Sequence, residues 1–374
     1  MKILILTAAT GGGHIRASRA IEAYLSEHMP GSQTRVVDAL KCVNTIFDKT
    51  ICDGYHFLAT KQPKVFGKLY ETTNRETPLS RFVPLVNNIV ARKLLPTVQE
   101  FNPDIILTTH PFVNEMVSQL KEKEKIHQPL ICILTDYSPH RTWVAKQVDA
   151  YVVASEDMVP QLVEMGAPRE KIHPFGIPVF SQFFSQANKD ELLREFGLDT
   201  GVHTVLFMAG SFGVNNILQI YRDVTALPDD FQLIVITGRN QKLFDALEKE
   251  VKNSPKKTKL IFFTNEVEKY MKVSDLIVTK PGGLTVSEAL ACNLPLAVFD
   301  AIPGQEEENA DFLLSHDMAV HMKKGDDCAK AIQLLLRDEE RLDRMRRSCE
   351  KFDKSQSIPH LMALMENLTQ GEKE

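Results

Sequence analysis

Three glycine-bearing stretches of this chain carry side chains that could hold a phosphate or move a proton. "TAATGGGHIRAS" (7–18) sets His14 directly behind Gly11, Gly12 and Gly13. The glycines let a ligand approach the backbone. The helix implied by Ala17, Ala20, Ile21, Tyr24 and Leu25 on one face would turn its free N–H groups toward negative charge. Imidazole titrates near neutral pH, which makes His14 a candidate proton acceptor. A tight turn with an incidental histidine accounts for the same residues. The stretch fits neither the dinucleotide fingerprint nor a P-loop, because position 16 is Arg and no Lys-Ser or Lys-Thr follows.

"TKPGGLTVSEAL" (279–290) places Gly282 and Gly283 before a helix whose N–H groups could hold a diphosphate, with Lys280 as a counter-charge and Thr285 in the first turn. Glu288, one turn in, could accept two hydrogen bonds from the vicinal hydroxyls of a ribose. Thr285-x-x-Glu288 is also a capping box that needs no ligand. In "IPGQEEENA" (302–310), Gln305 and Glu306 follow a Pro-Gly turn. An amide beside a carboxylate suits the hydroxyls of a sugar, although acidic residues at a helix N-terminus also complement its dipole.

The elements that must position these residues alternate along the whole chain. Short β-branched runs at "KILILT", "TRVVD", "DIILTTH", "LICILTD" and "DAYVVAS" are followed by a second series at "HTVLFMAG", "FQLIVITG", "KLIFFTN", "DLIVTKPGG" and "LPLAVFD", with helical patterns between them. Alternation of this kind predicts an α/β protein with two doubly wound parallel sheets. The 374 residues suffice for two such domains, joined near 180–195, with 346–374 as a charged helix and polar tail. Ligands in such folds sit at the carboxyl ends of the strands, where every stretch quoted above falls.

Composition narrows the class. With 43% hydrophobic and 25% charged residues the chain reads as globular, and its longest apolar runs are too short to span a bilayer. A cytoplasmic protein without a nucleic-acid partner is expected. The six cysteines lack metal-site spacing and read as reduced thiols, mostly buried. The net charge of −5 is unevenly placed: residues 1–180 carry 20 Lys+Arg against 18 Asp+Glu, and the remainder 24 against 31. Nine of the basic residues lie in 41–100 among Phe57, Phe66, Tyr70 and Phe82, a stretch that suits either an anionic surface or a solvated helical face.

Taken in order, "TGGGH" with "IRASRAI", "THPF", "TDYSPHRTW", "TGRN", "TKPGGLTVSEAL" and "PGQEEENA" resemble the monogalactosyldiacylglycerol synthases and bacterial processive diacylglycerol glucosyltransferases, of glycosyltransferase family 28. The resemblance covers about residues 1–345. It implies a GT-B fold, two Rossmann-like domains around a cleft, with an acceptor domain over 1–185 and a UDP-sugar domain over 186–345. It implies that Gly282, Gly283 and Thr285 approach the diphosphate with Gly210 and Ser211 opposite, that Glu288 meets the ribose, and that Gln305, Glu306 and Asn309 read the sugar. Arg239 would neutralise phosphate or support the nucleotide loop, and the uracil would meet backbone groups near Phe263 to Val267. Inversion at the anomeric centre needs a base, for which the resemblance points to His14, with Asp136 as its orienting partner or as the base itself. Gly12 and Gly13 would admit the acceptor, with His110 and Trp143 lining its path. No metal or other cofactor is implied. A diacylglycerol acceptor would bring the chain to the inner face of the membrane, where the basic stretch 41–100 would meet anionic lipid. Transfer to another lipid-linked or soluble acceptor, or binding without transfer, are the competing expectations.

Overall fold

The computed structural model describes residues 1–9, 12–43, 91–208, 214–299, 304–322 and 327–370. Among the described residues, twelve strands form two all-parallel sheets of six. The first contains β1 (Lys2–Thr7), β2 (Gln33–Asp38), β3 (Ile105–Thr108), β4 (Leu130–Ile133), β5 (Ala150–Val152) and β6 (Ile172–His173), in the order β2-β1-β3-β4-β5-β6. The second contains β7 (His203–Met208), β8 (Phe231–Ile236), β9 (Thr258–Ile261), β10 (Leu276–Thr279), β11 (Leu296–Phe299) and β12 (Ala319–Met322), in the order β12-β11-β10-β7-β8-β9. Every residue of β3, β4, β8, β10 and β11 is buried, as expected of strands with helices on both faces.

Each sheet has one more strand than the ten apolar runs predict. The additions, β6 and β12, lie at sheet edges, where one side pairs and burial is partial. Strand order reverses beside β1 in the first sheet and beside β7 in the second. These reversals open crevices at the carboxyl ends of β1 and β3, and of β7 and β10.

Four helices bear on the site, α1 (Gly13–His28), α2 (Pro111–Glu122), α3 (Gly283–Ala291) and α4 (Gln305–Ser315), and α5 (Glu339–Lys351) and α6 (Ser357–Gln370) follow the second sheet. One apolar cluster runs from Leu6, Ala17 and Leu134 in the first domain to Leu284, Val286 and Leu296 in the second, so the domains close directly on each other. The C-terminal stretch departs from its reading as charged helix and polar tail. Leu361 and Met365 of α6 are fully buried beneath the first sheet, against Ile3, Ile5, Ile105 and Ile131, so the chain returns to its first domain. No helix among the described residues is long and apolar enough to cross a membrane. Cys42, Cys132, Cys292, Cys328 and Cys349 are free thiols, and Cys52 lies outside the described residues.

Candidate active site

The loop after β1 delivers His14 as the second residue of α1, beside the carboxyl end of β3. Its Nδ1 lies 2.6 Å from the Thr109 carbonyl oxygen. A carbonyl can only accept, so Nδ1 carries the proton and Nε2 presents a bare lone pair. Thr135 Oγ1 lies 2.9 Å from the same Nδ1 and fixes the ring further. Burial pushes His14 down to about 4, against the pull of the Thr109 hydrogen bond. His14 is therefore a neutral base at working pH, and the ring nitrogen it can offer is determined by the backbone just after β3.

Two expected lining residues flank it. The His110 ring packs edge-on at 4.7 Å and the Trp143 ring tilts at 6.3 Å from the imidazole. Both side chains are buried. His110 precedes α2 as its N-cap, and the Trp143 carbonyl accepts from Asn114 Nδ2 at 2.9 Å. They form the wall behind His14.

Asp136 does not orient His14; Thr109 and Thr135 do. Its carboxylate instead crosses to the second domain, accepting from Gln305 Nε2 through Oδ2 and from Asn309 Nδ2 at 3.3 Å through Oδ1. Burial pushes Asp136 up to about 6, against these two hydrogen bonds. Asn309 is fully buried, donates to the Pro281 carbonyl at 3.0 Å and accepts from the Tyr137 backbone N–H at 2.8 Å. The Tyr137 hydroxyl meets Ser287 Oγ at 2.9 Å. A polar seam thus joins the β4 loop to α3 and α4. Gly283 explains how the backbones meet: a Cβ there would lie 2.1 Å from the Thr135 carbonyl oxygen.

Glu288 makes a further crossing. Its Oε1 lies 2.7 Å from Arg16 Nη2 on α1, and its side chain is 3% exposed. Burial pushes Glu288 up to about 7, opposed by the Arg16 charge. The capping-box alternative is corrected here. Gly282 is the N-cap, extended at φ −71° and ψ 133°, so Thr285 is the third helical residue and Glu288 the sixth, too far along to cap. Gly13 and α3 face each other, with a Cβ at Gly13 3.6 Å from Leu284 Cβ, while a Cβ at Gly12 or Gly282 would meet nothing within 4 Å among the described residues.

The other donor candidates fall at the carboxyl edge of the second sheet. Lys280 and Thr285 are half-buried around Gly282, and Glu306 is half-buried in the first turn of α4. Gly304 precedes α4 at φ 92°, a conformation that favours glycine, and its N–H donates to Glu307 Oε2 at 3.1 Å. Glu307 therefore serves the helix end and leaves Gln305 and Glu306 toward the seam. Arg239 places its guanidinium 4.7 Å over the 45%-exposed ring of Phe263, an exposed platform beyond β8 and β9. The Val267 side chain is buried in the apolar core, which bears on packing and not on the backbone contact expected there. Gly210 and Ser211 lie outside the described residues, as does most of the basic stretch 41–100.

The sequence reading passed over Thr109, Thr135, Tyr137 and Arg16. Arg16 entered only as the residue that breaks a phosphate-loop pattern, although a cation two positions after His14 was itself a signal.

Comparison with known proteins accords with this architecture. Residues 14–179 match the family model described as monogalactosyldiacylglycerol (MGDG) synthase, and residues 188–352 match glycosyl transferases group 1. A Bacillus pumilus protein named processive diacylglycerol beta-glucosyltransferase is 27% identical over 351 residues, 94% of this chain and 91% of that one. Acinetobacter baumannii MurG superposes with a TM-score of 0.63 at 13% identity, covering 98% of this chain and 99% of that one. Anabaena HepE, solved in complex with UDP-glucose, gives a TM-score of 0.56 at 15% identity over 97% and 99%. The fold is the GT-B arrangement expected from the motifs.

Proposed function

Because the chain belongs to the monogalactosyldiacylglycerol synthase and processive diacylglycerol glucosyltransferase family, we propose that it is a UDP-sugar-dependent hexosyltransferase acting on diacylglycerol. The name of its relatives favours glucose, with galactose as the alternative sugar. The observation that carries the reading is the 2.6 Å contact of His14 Nδ1 with the Thr109 carbonyl, which leaves Nε2 bare on a residue next to Gly13, where α1 meets Leu284 of the second domain. In the proposed step the acceptor hydroxyl attacks the anomeric carbon from the face opposite UDP. His14 Nε2 takes its proton, the bond from the anomeric carbon to the diphosphate breaks, and the configuration inverts. The Thr109 carbonyl, already held by Nδ1–H, stabilises the imidazolium that forms. A diphosphate brought near the seam would raise the basicity of His14 above that of the donor-free protein.

Charge developing on the leaving UDP would be met by the N-terminus of α3 at Gly282 and by Lys280, without a metal. The exposed ring of Phe263 under Arg239 offers a stacking surface for uracil. The reading further includes repeated addition to the glycolipid formed and peripheral attachment to anionic membranes, supported by the basic charge of residues 41–100.

The test incubates the protein with UDP-glucose, UDP-galactose or UDP-GlcNAc and diacylglycerol vesicles, with and without anionic lipid and with and without a chelator. UDP release together with glycolipid of inverted linkage is expected. Binding of a UDP-sugar without turnover on any acceptor would overturn the transferase reading, and loss of turnover on chelation would overturn its independence of metal.

A further inference from the structure

We propose that Arg16, from the acceptor domain, is a ligand of the donor's diphosphate, and that it reaches this role by exchanging Glu288 for the phosphates when the donor ribose takes Glu288. The inference rests on the UDP-sugar reading of the site and adds a cation supplied from across the seam.

Three observations carry it. First, Arg16 and Glu288 are paired across the domains at 2.7 Å, through Nη2. Arg16 Nε is buried and has no hydrogen-bond partner among the described residues. A guanidinium offers its donors in a fork that suits two oxygens of a phosphate, and here one prong is engaged while its inner nitrogen is idle. Second, Glu288 is almost wholly buried and meets no other cation at salt-bridge distance among the described residues. A ribose that replaces Arg16 brings two neutral hydroxyls and no positive charge. Arg16 is then displaced with its charge uncompensated, and the diphosphate is the anion arriving beside it. Third, the distances suit a swap. The N-terminus of α3 at Gly283 lies five residues before Glu288, about 7.5 Å along the axis at the helical rise per residue. Arg16 leaves α1 within its first turn, and α1 faces the N-terminal end of α3, with Gly13 opposite Leu284. A long side chain that already reaches Glu288 can swing toward the phosphates without its helix moving.

The exchange makes donor binding and domain contact one equilibrium. Arg16 closes the seam on Glu288 when the site holds no nucleotide, and closes it on the nucleotide when one is present. The acceptor domain thereby grips the leaving group, which is where charge builds during transfer.

Calorimetric titration of the full-length wild type, Arg16→Ala and Arg16→Lys with UDP and with uridine separates the possibilities. Arg16→Ala is expected to weaken UDP at least 10-fold and to leave uridine unchanged or tighter, since Glu288 is no longer occupied. Arg16→Lys, with charge but no fork, is expected to fall between. Wild-type-like UDP affinity in Arg16→Ala, or equal tightening of UDP and uridine, would overturn the proposal and leave Arg16 as a latch only. Circular dichroism checks that the variant is folded, and Arg16→Met, which keeps most of the side-chain volume, serves if it is not. Failure of the wild type to bind UDP at all would instead refute the donor reading on which the inference rests.

Discussion

The protonation of His14 is the most direct quantity to measure, because the proposed chemistry depends on which nitrogen is bare. The perturbation is pH, from 8 down to 4.5, in the donor-free protein. An ordinary histidine titrating at 6.5 is about 90% protonated at pH 5.5, whereas one titrating at about 4 is roughly 3% protonated there. Nitrogen-15-detected imidazole spectra read both charge and tautomer, and His14→Ala identifies the signal among the 11 histidines. The expected result is a ring protonated on Nδ1, with Nε2 remaining bare as pH falls to about 5. Thr135→Val removes the contact at 2.9 Å but keeps the Thr109 carbonyl, so the tautomer should survive it. Turnover completes the argument: His14→Ala should reduce kcat about 100-fold or more while UDP affinity stays within a few-fold of wild type. A proton on Nε2, a midpoint near 6.5, or near-normal kcat in His14→Ala would each refute the assignment. A limb near pH 6 abolished by Asp136→Asn would transfer the role to Asp136.

Three further outcomes follow from the seam and the core. Gly283→Ala puts a methyl 2.1 Å from the Thr135 carbonyl oxygen, so the domains must part; solution scattering should show a larger radius and turnover should drop, and an unchanged radius with full activity would contradict the described closure. Glu288 is held at about 7 against an ordinary 4.5, so the folded state binds its proton more firmly than the unfolded chain. The stability it contributes is fully present below pH 4.5 and is lost as pH rises through 7, on the order of 3 kcal/mol. Wild type should therefore lose thermal stability relative to Glu288→Gln between pH 5 and 8; parallel curves would refute this. Leu361→Ala should cost about 2–5 kcal/mol in denaturant unfolding if α6 completes the first domain, and an effect under about 0.5 kcal/mol would return α6 to a dispensable tail.

The sheets were legible because a strand buried on both faces needs an uninterrupted apolar run, and "DIILT" and "LIVT" are such runs. Edge strands need no such run, which is why β6 and β12 were missed. Which loops gather at the cleft was legible too, since carboxyl ends at a reversal of strand order share one crevice. The partners across that crevice were not. Asp136 and Asn309 are 173 residues apart, and no local pattern encodes their meeting. Thr285-x-x-Glu288 shows the hazard of a local pattern read alone: the helix begins at Gly283, earlier than the box requires, and Glu288 turns to Arg16.

The seam also bears on how groups suited to a polar ligand satisfy one another. Groups suited to a sugar nucleotide would cost about 1–3 kcal/mol each if buried without partners. Those groups engage one another, Gln305 and Asn309 with Asp136 and Glu288 with Arg16. A donor then enters by exchanging partners, so part of its binding energy goes to undoing the closed contacts. Affinity for UDP should accordingly rise when a seam contact outside the donor's reach is weakened. Tyr137→Phe, which removes only the hydroxyl at Ser287, is the variant that tests this: tighter UDP binding is expected, and unchanged or weaker binding would show that the closed seam does not compete with the donor.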